Sequence, residues 1–369
     1  MMIIGALDFG GAERVTATLA NAWSSRGHEV SILSMSPGES AFPLSSGVKL
    51  IAPESSTSRR ISLPHMLSFL RRKLKELEPE ICLAQTYKPA FFASLACVGL
   101  GIPLVAVEHN YPGNPRLGRI WPILRYLAYS RADKVVFLTE RARSHFSGAI
   151  GRHSAVIENP LAEEFLAEDS LAPCPSEREG AEEASTENKR FLAIGRLVEQ
   201  KGFDLLLRAF AQFSEAVDDW SLTIVGEGKL QWQLHSMVQS LGLEQRVTIR
   251  PFGDSPLDYY RSSDVFVLSS RWEGFPCVLC EAMSCALAPI AFDCPTGPAE
   301  LIEHELSGLL IPPGDWKALA RAMKRLVREP ELRKKLARGA IELRSRLETD
   351  KILEQWDTYV FSDLESSHG

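Results

Sequence analysis

Two short stretches in the second half of the chain combine residue types that could hold a phosphorylated, polyhydroxylated ligand. In Gly195-Arg196-Leu197-Val198-Glu199-Gln200-Lys201-Gly202, two cations sit in a loop that follows an apolar run ending at Ile194 and opens a helix predicted from Phe203. A helix start presents unpaired N–H groups and a partial positive charge, Arg adds a bidentate fork and Lys a point charge, and all of these suit phosphate oxygens. In the stretch from Arg271 to Met283, Glu273 occupies a predicted turn and Glu281 lies eight residues on, about two helical turns inside the following helix. Both carboxylates can then face one crevice. A carboxylate accepts hydrogen bonds from the vicinal hydroxyls of a ribose or hexose, and the amides of Gly274 and Phe275 can serve further oxygens. The plainer alternatives are a solvated loop with two surface cations and two ordinary helix glutamates. Against them stands the occurrence of both stretches in one half of the chain, each directly after a strand-like run.

Three further segments stand at strand-to-helix turns. Phe9-Gly10-Gly11-Ala12-Glu13-Arg14 follows the first apolar run, and its glycines allow close backbone approach to a bulky anion. It lacks a full G-x-G-x-x-G, which argues against a dinucleotide-dependent dehydrogenase. Glu108-His109-Asn110 follows a strand ending at Val107, and His109 there is either a structural hydrogen-bonder or a ligand contact. Thr296-Gly297-Pro298-Ala299-Glu300 opens another helix whose first amides suit a polar ligand. Four of the seven cysteines cluster as Cys277, Cys280, Cys285 and Cys294, but the second pair lacks a short metal-binding spacing and no His is near. They are expected to be small buried hydrophobes, with no metal and no cofactor.

The elements that must position these residues alternate short apolar runs with amphipathic helices, as in a parallel sheet covered on both faces. Predicted strands cover 3–7, 30–33, 81–84, 104–107, 135–138 and 155–157, with helices over 11–25 and 67–77 between them. Residues 162–190 change character, with nine acids against three bases among Ser, Ala, Pro and Gly, and read as an acidic linker or insertion. Strands resume at 191–194, 222–225, 247–249, 265–268, 288–291 and 309–311. The expected organisation is an α/β chain with one doubly wound parallel-sheet domain over 1–161, a second over 191–349, and a final helix over 350–362 that packs back on the first domain. In such sheets ligands bind beyond the carboxyl ends of the strands, which is where the segments above fall.

Length supports two domains, since 369 residues exceed one ordinary core. The apolar fraction of 45% and the charged fraction of 24% belong to a folded globular chain. Residues 1–160 carry 18 Lys and Arg against 12 Asp and Glu, whereas the remainder carries 23 against 35. The basic half suggests an anionic partner, and the absence of zinc-finger spacing or an RNP-like motif sets nucleic acid aside. Two stretches mix cations with apolar residues, Met66 to Lys75 and Arg116 to Arg125; such segments can rest on an anionic bilayer. Each could equally be an ordinary amphipathic helix packed on its own sheet. The start of the sequence shows no signal-peptide pattern, and the longest uncharged run is broken by Gly99, Gly101 and Pro103. A cytoplasmic protein without a spanning helix, attached peripherally to the inner face of the membrane, is the expectation.

Taken together, Gly10-Gly11-Ala12-Glu13-Arg14, Gly195-Arg196 with Lys201-Gly202, Val225-Gly226-Glu227-Gly228 and the Glu273-to-Glu281 pair resemble the motif set of retaining glycosyltransferase family 4, in the right order over nearly the whole chain. Residues 292–300 are similar to the branch holding amylovoran-type and lipid-linked oligosaccharide transferases. The resemblance implies a GT-B architecture, with two Rossmann-like domains facing a central cleft, the acceptor on the first and a nucleotide sugar on the second. It implies that Arg196 and Lys201 bind the donor diphosphate, helped by Gly195, Gly226 and Glu227, that Glu281 binds the ribose, and that Glu273 with the amides of Gly274 and Phe275 binds the sugar. His109 would approach the donor sugar, and Gly10 and Gly11 the diphosphate. His109 stands in a Glu-His-Asn context, a departure from the family's common Ser-x-His-Asp, and the first strand is short.

The implied reaction is metal-independent transfer with retention from a nucleotide-sugar donor, UDP-linked by preference, to a lipid-linked or oligosaccharide acceptor. A GT-B nucleotide-sugar epimerase would turn over without an acceptor, and a non-catalytic subunit would be expected to have lost Arg196, Lys201, Glu273 or Glu281.

Overall fold

The computed structural model describes residues 1–53, 63–167, 170, 189–253 and 255–362. Most of the predicted acidic linker, residues 168–169 and 171–188, lies outside them. The chain divides into two compact units, Met1–Pro160 with Thr349–Gly369, and Leu161–Glu348.

The first unit holds seven strands: β1 (Met2–Ile4), β2 (Val30–Ser34), β3 (Val48–Ile51), β4 (Cys82–Gln85), β5 (Leu104–Glu108), β6 (Lys134–Phe137) and β7 (Ser154–Val156). They form one sheet in the order β3-β2-β1-β4-β5-β6-β7, every pairing parallel. Its central strands read as near-continuous apolar runs because helices cover both faces. Met2, Ile3 and Ile4 are all buried, and β1 pairs with β2 on one side and β4 on the other. The expected first strand over 3–7 therefore ends at Ile4, and the Leu7 carbonyl instead accepts from the Ala41 amide at 2.8 Å. Strand β3 has no counterpart among the predicted strands. It is a four-residue edge strand with Lys49 exposed, so it carries little of the alternation that marks a strand in sequence.

The helix Gly11–Ser25 buries Val15, Leu19 and Trp23 on the sheet. The helix Thr349–Trp356, continued by a wider turn over Asp357–Phe361, packs on the same unit. Trp356 and Phe361 meet the Trp23 ring edge-on, with centroids 5.6 and 5.7 Å away. Arg26 reaches Asp350 at 2.9 Å and Asp357 at 3.1 Å, and Lys134 donates to the Tyr359 carbonyl at 2.5 Å.

The second unit holds six strands: β8 (Arg190–Ile194), β9 (Ser221–Val225), β10 (Val247–Arg250), β11 (Val265–Leu268), β12 (Ala288–Phe292) and β13 (Leu309–Ile311). Their order is β10-β9-β8-β11-β12-β13, again all parallel. A buried aromatic group of Phe191, Phe210, Phe213 and Trp220 fills the core under the helix Phe203–Ser214. Both units are thus doubly wound Rossmann-like sheets. In each the strand order reverses next to the first strand, between β1 and β4 and between β8 and β11, and the crevice beyond such a reversal is where ligands bind.

Candidate active site

The carboxyl ends of β8 and β11 bring the two predicted stretches together. Beyond β8 the chain runs through Gly195 and Arg196 into a short turn over Glu199–Lys201, and Gly202 starts the helix Phe203–Ser214. Gly202 has φ +63°, and a Cβ there would lie 2.0 Å from the Ser269 carbonyl oxygen just past β11. Only glycine lets the two loops meet backbone to backbone. The Ser269 hydroxyl donates to the Lys201 carbonyl at 2.9 Å, and the Arg271 amide to the Gln200 carbonyl at 2.7 Å. Arg271 also clamps Asp204 bidentately, both distances 2.8 Å.

This scaffold puts Lys201 Nζ 2.7 Å from Glu273 Oε1. Both groups are largely buried, with side-chain exposures of 13% and 6%. Ser270 donates its hydroxyl to the same Oε1 at 2.5 Å, and the Gln200 amide lies 3.4 Å from Oε2 while donating to the Trp272 carbonyl at 3.0 Å. The buried Thr296 hydroxyl donates to the Glu273 carbonyl. A cation, a hydroxyl and an amide therefore fix the Glu273 carboxylate as a charged acceptor.

Glu281 is buried on the helix Cys277–Ser284, and the Tyr260 hydroxyl donates to its Oε2 at 2.7 Å. Tyr260 is itself buried beside Phe165, at 5.8 Å between ring centroids. Arg196 stays exposed on the β8 loop, and among the described residues no hydrogen bond or ion pair holds its guanidinium. Gly226 packs on the same loop: a Cβ there would fall 1.9 Å from the Gly195 carbonyl oxygen. The Glu227 carbonyl accepts from the Leu197 amide at 2.7 Å while the Glu227 side chain points to an exposed position. Gly274 is half-buried and Phe275 buried, the latter's carbonyl accepting from the Cys277 amide at 3.0 Å. Cys285 and Cys294 are buried free thiols, and burial pushes the Cys285 thiol up to about 12.

In the first unit, Gly10 caps the helix Gly11–Ser25, with the Arg14 amide donating to its carbonyl at 3.0 Å. The Glu13 carboxylate folds back on Gly10, so close that a Cβ at Gly10 would fall 2.2 Å from it. His109 leaves the end of β5 and bonds through Nε2 to Gln85 Oε1 at 2.7 Å, at the end of the neighbouring β4. Burial lowers its pKa to about 4, so the ring is neutral near pH 7. Accepting at Gln85 Oε1 places the proton on Nε2, which leaves Nδ1 as an acceptor; it is buried, and no hydrogen bond reaches it among the described residues. Glu108, one residue earlier, faces inward and is held by Tyr129 at 2.9 Å and Arg125 at 3.4 Å.

Sequence reasoning passed over Gln200, Ser270, Tyr260 and Gln85. Gln200 lies inside one of the stretches it singled out, and Ser270 immediately precedes the other. Tyr260 and Gln85 reach their carboxylate and imidazole only through the tertiary fold, and no local pattern marks them.

Two Rossmann-like units, with a cation–carboxylate pair at the reversal of the second sheet, define an α/β protein whose charged side chains stand where doubly wound sheets bind ligands. The chain matches the family models described as glycosyl transferases group 1 over residues 176–343 and glycosyltransferase family 4 over residues 9–165. It is 30% identical over 355 residues to an uncharacterized glycosyltransferase of Haemophilus influenzae, covering 94% of this chain and 95% of the relative. The chain therefore belongs to the glycosyltransferases of this GT-B family. An amylovoran biosynthesis glycosyltransferase of Erwinia amylovora is 27% identical, with 97% of each chain covered. A Campylobacter jejuni α-1,4-N-acetyl-D-galactosaminyltransferase named for a diphospho-undecaprenol-linked substrate is 28% identical, with 96% of each covered. Among solved structures, Anabaena HepE in complex with UDP and glucose shares the fold with a TM-score of 0.79 at 19% identity, 98% of each chain covered.

Proposed function

We propose that this glycosyltransferase moves a hexose or N-acetylhexosamine from a UDP-linked donor to a lipid-linked or polysaccharide acceptor, with retention and without a metal or other cofactor, in cell-surface glycan biosynthesis. The observation that carries the reading is the buried Lys201–Glu273 pair, placed by two loops at the sheet reversal of the second unit. The amylovoran and undecaprenol-linked relatives and the UDP-bound neighbour support the acceptor and donor classes.

In this reading the nucleotide sugar binds the second unit and the acceptor the first. Arg196 and Lys201 take the diphosphate, Gly195, Gly226 and Glu227 shape its loop, and Glu281 takes the ribose hydroxyls. Glu273, with the Gly274 and Phe275 amides, takes the sugar. The exposed Arg196 is available to a ligand, and Lys201 stands beside the carboxylate that orients the hexose. As the bond from the anomeric carbon to the phosphate oxygen breaks, negative charge grows on the diphosphate, and these cations stabilise it as it develops. The acceptor oxygen forms its bond on the departing face, and its proton passes to the leaving phosphate. His109, neutral near pH 7, approaches the donor sugar, and Gly10 and Gly11 approach the diphosphate. The protein works in the cytoplasm, attached peripherally to the inner membrane face; no helix among the described residues is long and apolar enough to cross a bilayer.

A panel of nucleotide sugars, scored by nucleoside diphosphate release with a lipid extract as acceptor and in chelator, tests this. UDP release that depends on the extract and survives the chelator is expected, with an α-linked product from an α-linked donor. Release that needs no acceptor, or an inverted product, would overturn it.

A further inference from the structure

Of the two stretches that sequence marks for a membrane surface, one is accounted for by its own fold. The helix Leu63–Leu77 turns Met66, Leu70 and Leu74 inward, and its Arg71 donates to the Ala96 and Val98 carbonyls, both at 2.7 Å. It is an ordinary amphipathic helix.

The helix Trp121–Arg131 is built the other way round. Its inward face carries a charge: Arg125 is buried, paired with Glu108 at 3.4 Å and donating to the Pro112 carbonyl at 2.6 Å, beside the buried Tyr129 hydroxyl. Its outward face is apolar, with Ile123 62%, Tyr126 49% and Leu127 42% exposed, and Ile120 one turn ahead 67% exposed. Positions separated by three and four residues share a helix face, so these four side chains make one stripe. Of the ten large apolar side chains exposed among the described residues, four fall within positions 120–127, which sets this stripe apart from scattered surface hydrophobes.

Charge identifies what the stripe fits. From residue 109 to residue 132 there is no Asp or Glu, while Arg116, Arg119 and Arg131 are exposed around it. Exposed Lys88 adds a cation at the helix start, 5.3 Å from the Trp121 ring centroid. An apolar stripe in a segment that carries exposed cations and no acids is complementary to an anionic bilayer, whose headgroups attract the cations while its acyl boundary takes Ile and Leu and its interface takes Tyr. Eleven residues reach only roughly 16 Å, which lays the helix in the membrane plane.

We propose that the helix Trp121–Arg131 is the membrane-docking element of the first unit, inserting Ile120, Ile123, Tyr126 and Leu127 into the headgroup–acyl boundary of an anionic bilayer. Trp121 packs edge-on against Tyr87, two residues beyond β4, so the docked helix begins near the carboxyl edge of the sheet. This rests on the peripheral attachment argued above and deepens it by naming the surface.

The test is sedimentation of the full chain with vesicles of phosphatidylglycerol and phosphatidylcholine, compared with phosphatidylcholine alone, for wild type and for Ile123→Glu/Leu127→Glu. Wild type is expected to partition onto the anionic vesicles and to release in high salt. The double variant should bind at least about tenfold more weakly, since two apolar anchors are lost and two carboxylates repelled by anionic headgroups are gained. Circular dichroism confirms folding, and UDP titration reports the donor site separately. UDP binding without any vesicle binding would overturn the docking proposal alone, whereas vesicle binding without UDP binding would sink the donor reading alone. Equal vesicle binding by variant and wild type would place docking elsewhere. A wild-type dimer that the variant breaks, with no lipid binding by either, would make the stripe a contact between copies and overturn the proposal.

Discussion

Lys201 Nζ lies 2.7 Å from Glu273 Oε1, although the two residues are 72 positions apart and leave different strands. Their meeting follows from the strand order, which sets β8 beside β11, and from Gly202, which lets the two loops touch. Three expectations follow from the second unit's site, and a fourth from His109 of the first unit.

Lys201→Met leaves the Glu273 carboxylate buried without its cation. Losing one partner of a buried pair is strongly destabilising, here by about 3 kcal/mol. Adding Glu273→Gln removes the stranded charge and should restore more than half of that loss, while transfer activity stays abolished in both. Urea unfolding of the single and double variants measures it; additive losses would mean that the pair contributes no coupling.

Gly202→Ala puts a methyl 2.0 Å from the Ser269 carbonyl oxygen at φ +63°. Nothing but backbone is available to yield. A loss of more than about 2 kcal/mol is expected, together with a rise in donor KM, since Lys201 is carried by the same turn. Unchanged unfolding and kinetics would show that the loops do not need this contact.

Tyr260→Phe deletes only the hydroxyl that donates to Glu281 at 2.7 Å. A hydrogen bond to a charged group is worth about 1.5–3 kcal/mol. UDP affinity should fall about tenfold, with a smaller effect on the free pyrophosphate, because Glu281 is proposed to read the ribose. Equal losses for both ligands would separate Tyr260 from that role.

His109 titrates at about 4 in the folded chain, against 6.5 ordinarily, because burial disfavours imidazolium. The unfolded chain takes up its proton first as the pH falls, so His109 leaves stability untouched above pH 6.5 and lowers it progressively towards pH 4. By about pH 5 the penalty is on the order of 1–2 kcal/mol. The difference in unfolding free energy between wild type and His109→Asn should drift by that amount between pH 7 and 5; a constant difference would contradict a neutral buried ring.

Much of this architecture can be read from the alternation of apolar runs and amphipathic helices. The helix Gly11–Ser25 and the strands β11 and β13 coincide with their predicted bounds, because each is set off by glycine, proline, serine or charged residues. Strand β3 escaped because a short edge strand with one buried residue has no pattern of its own. Lys201 and Glu273 were legible as residue types at strand ends. Their ion pair was not, because it depends on which strands become neighbours. Tyr260 and Gln85 were invisible for the same reason. The inside-out helix Trp121–Arg131 was legible only in part: the sequence gives its cations and apolar residues, but not that Arg125 turns inward and Ile123 outward.

The most direct measurement is calorimetric titration of UDP into the full chain in metal-free buffer, repeated with Arg196→Ala, Lys201→Met and Glu281→Ala. Wild type should bind one UDP per chain, and each substitution should weaken it about tenfold or more, with uridine binding spared in the two cation variants. If wild type does not bind UDP, or if all four proteins bind it equally, then Arg196, Lys201 and Glu281 do not form a donor site.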